Sequence, residues 1–319
     1  MAARPPPPGR SAAGPPAHGS ERSGGHVTSA AHEPQDRALV VLGAGVMGVG
    51  ITTLALAHGV PVTLVDTAEG VLPVARGRIR EGLRMAQMMG ALPKDVTTGE
   101  LTEVTAPAEV DWAAGPAAVI EAITEDAELK AKVLAEVAPA VTPGTPLISN
   151  TSSIPIDELA GAIGRPEDLL GTHFMNPSYL IPTVELIRGP RTGEAALSAT
   201  RELLDRLRRK VIVVNDAPGF VTSRVLHPMI NDAARVVEEG TASVEDVDAL
   251  MRGCLGHPTG PLRTADLIGI DNLVDSLWVL YRRTGDEGCR PCELLLSKVR
   301  DGHHGRKSGR GFYTYERAM

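Results

Sequence analysis

The sequence predicts an α/β domain with a mostly parallel sheet, followed by an all-helical domain of about 100 residues. Two observations support this prediction. Up to about residue 216, short apolar runs alternate with longer stretches of helical character, which is typical of βαβ units. After Pro218, apolar residues recur every three to four positions, the spacing of an amphipathic helix. With 319 residues, 43% of them hydrophobic, the chain is long enough for about two domains with sizeable cores.

Seven apolar runs are predicted as strands because each is short and is bounded by glycine, proline or polar residues. They are residues 38–42, 62–66, 117–121, 146–150, 169–174, 183–187 and 211–214. Helical stretches are predicted at 43–58, 68–90, 126–138 and 194–209. The alternation of these strands and helices predicts that most strands pair in parallel.

Composition divides the chain into three parts. Residues 1–36 are rich in proline, glycine and alanine and lack the apolar core of a signal peptide, so we expect a disordered tail. Residues 37–216 carry the α/β pattern, and residues 217–319 carry the helical one. Apolar residues at helical spacing open this last part; they are Phe220, Val221, Val225, Leu226, Met229, Ile230 and Ala233.

Charge and residue usage exclude several classes of function. Aromatic residues make up only 3% of the chain and the net charge is −7, which argues against nucleic-acid binding. Three cysteines are too few for a disulfide-stabilised secreted protein, so we expect a reducing, cytoplasmic location. The uncharged run 38–57 has the length of a membrane span, but four glycines interrupt it. It is better interpreted as a buried strand, a glycine turn and a buried helix, without membrane contact.

The glycine turn predicts a dinucleotide site in a Rossmann-like domain. Residues 43–48 read Gly43-Ala44-Gly45-Val46-Met47-Gly48, which is G-x-G-x-x-G between a strand and a helix, and Asp66 ends the next strand. The first glycine allows the tight turn, the second lets backbone approach a pyrophosphate, and the third permits close helix–strand packing. The helix N-terminus offers free N–H groups to the phosphates. Asp66 followed by Thr67 favours NAD over NADP, and FAD stays open as an alternative.

Among nine histidines, His173 is the candidate base because it ends an apolar strand, where ligands bind in open α/β sheets. Its position alone leaves a structural histidine as an alternative. Glu185 is a lone carboxylate in the apolar run 182–187, where a buried acid needs a partner; a solvent-facing glutamate is the alternative. If Glu185 meets His173, it fixes the tautomer of the imidazole and stabilises the imidazolium.

Several motifs together resemble the L-3-hydroxyacyl-CoA dehydrogenase family, which includes bacterial 3-hydroxybutyryl-CoA dehydrogenases. The resemblance extends from about Ala38 to Tyr315. The motifs, in order, are GAGVMG at 43–48, EAITED at 121–126, SNTSS at 149–153, HFMNP at 173–177, VEL at 184–186, PGF at 218–220, GHPTGPL at 256–262 and GRKSGRGFY at 305–313.

The resemblance implies NAD-dependent oxidation of a short 3-hydroxyacyl-CoA to the 3-oxoacyl thioester, in a homodimer formed by the helical domain. It implies that His173 is the base and that Glu185 orients it. Ser152 and Asn176 match residues that hold the substrate oxygen and the nicotinamide region. Three further positions match contacts on the cofactor side; these are Glu125, Lys130 and Lys307. From the residues alone, both lysines would be interpreted as solvated surface lysines.

The chain departs from the family pattern at two places. Ser223-Arg224 follows PGF-x-x where the family usually has Asn-Arg, and serine has the shorter reach. The end of the helix 68–90 lacks the lysines that lie near the nucleotide of CoA, although four arginines occur earlier, between 76 and 84. This loss leaves open the same chemistry on a hydroxyacyl group carried by an acyl carrier protein.

Other interpretations are weaker. Cys289 and Cys292 form a CxxC, but zinc would need two more ligands, for which Cys254, His303 and His304 are candidates by residue type only, so we expect no metal. An NAD-binding protein without turnover stays open as another class. A sugar-acid dehydrogenase is disfavoured because residues 218–231 contain no lysine.

Overall fold

The computed structural model describes residues 37–93 and 97–315 of the chain. The predicted disordered tail, residues 1–36, lies outside the described residues. Within them, eight strands form one sheet in the order β3-β2-β1-β4-β5-β6-β7-β8. The strands are β1 (Leu39–Leu42), β2 (Val62–Val65), β3 (Leu101–Val104), β4 (Ala118–Glu121), β5 (Leu147–Ser149), β6 (Leu169–His173), β7 (Thr183–Arg188) and β8 (Lys210–Asn215). Every neighbouring pair in this sheet is parallel except β6 and β7, which are antiparallel.

Ten α-helices accompany the described strands. They are α1 (Val46–Ala57), α2 (Val71–Met88), α3 (Ala127–Val137), α4 (Ile156–Ala160), α5 (Glu194–Arg206), α6 (Thr222–Glu238), α7 (Val244–Leu255), α8 (Pro261–Ile268), α9 (Ile270–Thr284) and α10 (Glu293–Arg300). The first five flank the sheet, and the last five follow it in sequence. The predicted fold class, a Rossmann-like parallel sheet followed by a helical part, is confirmed.

The central strands β1, β4, β5 and β6 are buried on both faces of the sheet, which explains why they are continuous apolar runs. Leu39 and Val41 of β1 pack in a core with α1, α2 and α5. Val40 and Leu42 point the other way, into a core with α3 and α4. This alternation follows from the two-residue period of a strand. The helical part has a third core, in which Ile230 of α6 packs with residues of α7 to α10.

Two elements differ from the sequence prediction. Strand β3 was not predicted, and its four residues, Leu-Thr-Glu-Val, are half-buried or exposed at the edge of the sheet. Such a short, half-polar edge strand has no clear apolar run to mark it. Helix α4 has only five residues, too few to show a helical period.

The parallel strands bring four loops to one edge of the sheet. Because β1, β4, β5 and β6 are mutually parallel, their carboxyl ends lie at the same edge. This edge carries the glycine turn after β1 and the polar segments that follow β4, β5 and β6. Ligands of open α/β sheets bind at this kind of edge.

We predict that replacing Gly48 with alanine destabilises the protein. A Cβ at Gly48 would lie 1.8 Å from the carbonyl oxygen of Gly43, so α1 would have to move away from the turn. The expected cost is about 1–3 kcal/mol of unfolding free energy, the scale of overpacking a core. Gly77 in α2 is the matched control, because a Cβ there meets no atom within 4 Å.

Thermal or urea unfolding of the two alanine variants measures this difference. Gly77→Ala should be as stable as the wild type or gain up to about 1 kcal/mol, because alanine favours a helix interior. Equal stability of Gly48→Ala and Gly77→Ala would contradict the packing role of Gly48.

Candidate active site

The three glycines of the turn after β1 serve different structural needs. Gly43 has φ +101°, and a Cβ there would lie 2.7 Å from the carbonyl oxygen of Ala122. Gly45 has open space around it, since a Cβ would meet no atom within 4 Å. It also precedes α1 without a side-chain cap, so the first N–H groups of α1, at 46–48, lack an internal partner. This open, uncapped helix start fits a pyrophosphate group.

Asp66 ties the glycine turn to the end of β2. Its Oδ2 accepts a hydrogen bond from the Ala44 N–H at 2.7 Å, and its Oδ1 accepts one from the Ala68 N–H at 2.9 Å. Each carboxylate oxygen can accept a second hydrogen bond. The half-buried carboxylate therefore shapes the turn and still has capacity for ribose hydroxyls.

A buried ion pair lies below the ends of β4 and β5. Glu121 is fully buried, and its carboxylate accepts hydrogen bonds from Lys130 Nζ at 2.6 Å and Ser149 Oγ at 2.6 Å. Lys130 is only 1% exposed, and its amine also lies 3.3 Å from Glu125 Oε2. Two buried charges persist together because each is paired and hydrogen-bonded. The solvated lysine that the residues alone suggest is thus wrong for Lys130.

Glu125 holds the loop that follows β5. Its Oε1 accepts hydrogen bonds from Thr151 Oγ1 at 2.6 Å, from the Ser152 N–H at 2.9 Å and from the Ser153 N–H at 3.1 Å. The loop is thereby fixed with the hydroxyl of Ser152 directed at His173, where Oγ lies 3.2 Å from Nε2.

His173 and Glu185 face each other across the antiparallel pair of strands. The register places His173 of β6 directly opposite Glu185 of β7, and directly opposed residues have neighbouring side chains. Nδ1 of His173 lies 2.8 Å from Oε2 of Glu185, and the residues are 5% and 6% exposed. Because an ionised carboxylate only accepts hydrogen bonds, Nδ1 carries a proton, and the lone pair of the neutral imidazole is then on Nε2, which faces Ser152 Oγ.

The start of α6 binds the same carboxylate. Oε1 of Glu185 accepts hydrogen bonds from the N–H groups of Val221 and Thr222, each at 3.1 Å. Oε2 accepts a further one from Thr222 Oγ1 at 2.5 Å. Burial alone would raise the pKa of the Glu185 carboxyl, but the hydrogen bonds from His173 and Thr222 outweigh it and lower that pKa. Glu185 is therefore ionised near neutral pH.

The PGF turn aims the start of α6 at Glu185. Gly219 and Phe220 both have positive φ, +70° and +50°, and this conformation is unusual for a phenylalanine. The buried Phe220 ring packs edge-on against His173, with ring centroids 5.9 Å apart. The turn therefore both delivers the N–H groups to the acid and covers one side of the imidazole.

Family models match both parts of the chain. Residues 38–217 match the NAD binding domain of 3-hydroxyacyl-CoA dehydrogenase, and residues 219–315 match its C-terminal domain. The chain belongs to the 3-hydroxyacyl-CoA dehydrogenase family. This confirms the family, and NAD as its cofactor, as predicted from the sequence.

Individual relatives of this dehydrogenase cover most of the chain. It is 39% identical to a 3-hydroxybutyryl-CoA dehydrogenase of Bradyrhizobium diazoefficiens, over 87% of this chain and 95% of the relative. It is 40% identical to a 3-hydroxybutyryl-CoA dehydrogenase of Mycobacterium tuberculosis, over 86% of this chain and 97% of the relative.

Solved structures agree with the sequence relatives. The crystal structure of M. tuberculosis FadB2 matches with a TM-score of 0.83 and 39% identity, covering 88% of this chain and 99% of that one. The (S)-3-hydroxybutyryl-CoA dehydrogenase PaaH1 of Ralstonia eutropha matches with a TM-score of 0.78 and 35% identity, covering 88% and 100%.

Two residues that the family resemblance assigns to the cofactor side lie apart from this hydrogen-bonded network. Asn176 is exposed, three residues beyond the end of β6. Lys307 donates to Asp271 Oδ2 at 2.7 Å, on α9 of the helical part, and its described contacts do not reach the glycine turn or His173. Their roles toward NAD stay predictions.

Three residues of the dehydrogenase site are not among those predicted from the sequence. They are Glu121, Thr222 and Phe220. Glu121 and Phe220 lie in the EAITED and PGF motifs. The sequence therefore marks these positions, but it does not show which side chains they contact. Thr222 has no such signal, because its role depends on the fold of a distant strand.

His227 is another buried histidine near the site. Its Nδ1 lies 2.7 Å from Ser276 Oγ, and burial, followed by the charge of His173, lowers its pKa to about 4. It is therefore neutral near pH 7.

No helix in the described part of the chain is long and apolar enough to cross a membrane. Across 37–93 and 97–315 there is also no cluster of three or more side chains able to hold a metal ion.

We predict that Lys130→Met destabilises this dehydrogenase strongly. The substitution leaves the fully buried Glu121 without its ion-pair partner, which typically costs about 3–5 kcal/mol. The exposed Lys132 on the same helix is the control, and Lys132→Met should change stability by less than about 0.5 kcal/mol. Urea unfolding measures both. A Lys130→Met variant as stable as Lys132→Met would show that the buried pair contributes little.

Proposed function

We propose that this chain catalyses the reversible, NAD-dependent oxidation of a short 3-hydroxyacyl-CoA of the 3-hydroxybutyryl-CoA type to the 3-oxoacyl thioester. The observation that carries the proposal is the arrangement of His173, Glu185 and Ser152 at the sheet edge that also bears the glycine turn. The names of its relatives support this substrate class, since several are 3-hydroxybutyryl-CoA dehydrogenases.

In this proposal the turn after β1 holds the dinucleotide. The N–H groups of Val46, Met47 and Gly48 face the pyrophosphate, and Asp66 accepts from the ribose hydroxyls. The backbone that would approach the pyrophosphate closely is that of Gly43, Ala44 and Gly45. The resemblance adds contacts from Glu125, Asn176 and Lys307. Lys130 acts through Glu125, because its buried amine is occupied by two carboxylates. When bound, the nicotinamide ring supplies the acceptor for the hydride that leaves C3 of the substrate.

His173 acts as the general base. The substrate hydroxyl binds within hydrogen-bond reach of both Nε2 of His173 and Oγ of Ser152, which are 3.2 Å apart. Nε2 takes the hydroxyl proton as the carbonyl forms at C3. The ionised Glu185 stabilises the resulting imidazolium through Nδ1. In the reverse direction the imidazolium returns the proton to the oxygen, so one residue serves both directions.

The surroundings of the site suggest further properties. We propose a homodimer formed through the helical part, supported by the exposed apolar side chains of Val221 and Val225 on α6. We also propose a cytoplasmic location, supported by the free thiols of all three cysteines. The carrier of the acyl group is taken to be CoA, as in the relatives' names.

A substrate panel tests the function. NADH formation is followed with 3-hydroxybutyryl-CoA, with the same acyl group on an acyl carrier protein, and with free 3-hydroxybutyrate. We expect turnover to be fastest with the CoA thioester. Faster turnover of the carrier-bound group would replace the CoA assignment, and NAD binding without turnover of any substrate would refute the dehydrogenase assignment.

His173→Ala should reduce kcat by at least about 100-fold, the scale of losing a general base, while the affinity for NAD is retained. His58→Ala is the matched control: His58 follows the far end of α1, about 18 Å along the helix from the glycine turn. The control should keep the wild-type kcat. Steady-state kinetics with 3-hydroxybutyryl-CoA measures both, and equal rates would remove His173 from the mechanism.

A further inference from the structure

We propose that Thr222 is a positioning residue that holds the Glu185 carboxylate against His173 through its side-chain hydroxyl. The proposal rests on the proposed function above, because it concerns the same histidine and acid. Thr222 lies at the first position of α6, in the helical part, whereas both members of the pair lie on the sheet. The hydroxyl thus connects the two parts of the chain at the reacting imidazole.

The hydrogen bonds of Glu185 divide into two kinds. Oε1 accepts only from the backbone N–H groups of Val221 and Thr222, which any residue other than proline would supply. Oε2 accepts from His173 Nδ1 and from Thr222 Oγ1. Within the described residues, Thr222 supplies the one side-chain donor to this acid besides the histidine. The residue type at position 222 therefore matters in a way that the backbone contacts do not.

The short contact decides what the hydroxyl does. Oγ1 lies 2.5 Å from Glu185 Oε2 and 3.3 Å from His173 Nδ1, so its single proton goes to the carboxylate. A threonine side chain is stiff at χ1, so little freedom is lost in holding this geometry. Oε2 is thereby fixed at the distance that Nδ1–H requires, and Nε2 keeps its direction toward the substrate.

The same hydrogen bond also changes the basicity of the Glu185 carboxylate. A donor to the ionised carboxylate stabilises its charge and lowers its basicity. Loss of the hydroxyl removes one of the donors that lower the pKa of the Glu185 carboxyl, so that pKa should rise. Two other titratable groups belong to these surroundings: His173 on β6, which donates to the carboxyl, and His227 on α6, which interacts with His173 and is neutral near pH 7.

The test compares Thr222→Val, which keeps the shape and loses the hydroxyl, with Thr222→Ser, which keeps the hydroxyl. We expect Thr222→Val to lower kcat for 3-hydroxybutyryl-CoA by about 10-fold, the scale of one hydrogen bond to a charged group, with KM little changed. The acidic limb of its pH profile for oxidation should move to higher pH, because the Glu185 carboxyl then protonates at higher pH and no longer stabilises the imidazolium. Thr222→Ser should stay within about twofold of the wild type.

NMR titration of the Glu185 carboxyl in the free protein supplies a readout that needs no turnover. The pKa of Glu185 should rise in Thr222→Val, which lacks the donor, and stay at the wild-type value in Thr222→Ser. Thermal unfolding of both variants establishes that they fold.

The outcomes separate this inference from the proposed function. If the wild type turns over no thioester but the NMR shift appears in Thr222→Val alone, the function fails and the positioning role stands. If the wild type is active and Thr222→Val keeps both kcat and the Glu185 pKa, the positioning role fails. Equal impairment of the serine and valine variants would also overturn it, because the methyl packing and not the hydroxyl would then matter.

Discussion

One antiparallel pairing brings together the two side chains on which the proposed chemistry depends. In the described sheet, β6 and β7 are the exception among parallel neighbours, and their register sets His173 opposite Glu185. An isolated buried acid would be costly, and an isolated imidazole would have no fixed tautomer. Paired across two strands, they are both buried and both hydrogen-bonded. The parallel strand β5 beside them supplies the loop whose Ser152 reaches the other nitrogen of the ring.

The pair depends on support from two directions. On the sheet side, the buried Glu121 and Lys130 and the exposed Glu125 form a chain of charges that fixes the loop after β5. On the helical side, the PGF turn presents the first N–H groups of α6 to Glu185. Burial opposes the ionised form of Glu185, and the hydrogen bonds decide the balance in favour of the anion. The site is thus assembled from elements far apart in sequence, from β4 and α3 to the start of α6.

Much of the fold follows from local patterns in the sequence. The buried strands and the glycine turn have clear periodic and compositional signals, whereas β3 has none because it is short, half-polar and at the edge. The sequence could suggest that His173 and Glu185 meet, because His173 ends one apolar run and Glu185 interrupts another. The roles of Lys130 and Thr222 could not be derived from the residues alone. A lysine in an amphipathic helix and a threonine at the start of a helix are both common. Their roles become clear only from their tertiary contacts with Glu121 and Glu185.

The most direct test of the central claim is a crystal structure of the protein with NAD and acetoacetyl-CoA. We predict that the 3-oxo oxygen of the acetoacetyl group lies within hydrogen-bond reach of His173 Nε2, at about 2.6–3.2 Å, with Nδ1 still hydrogen-bonded to Glu185. A 3-oxo oxygen held by another side chain, with the His173 ring beyond hydrogen-bond reach, would contradict it.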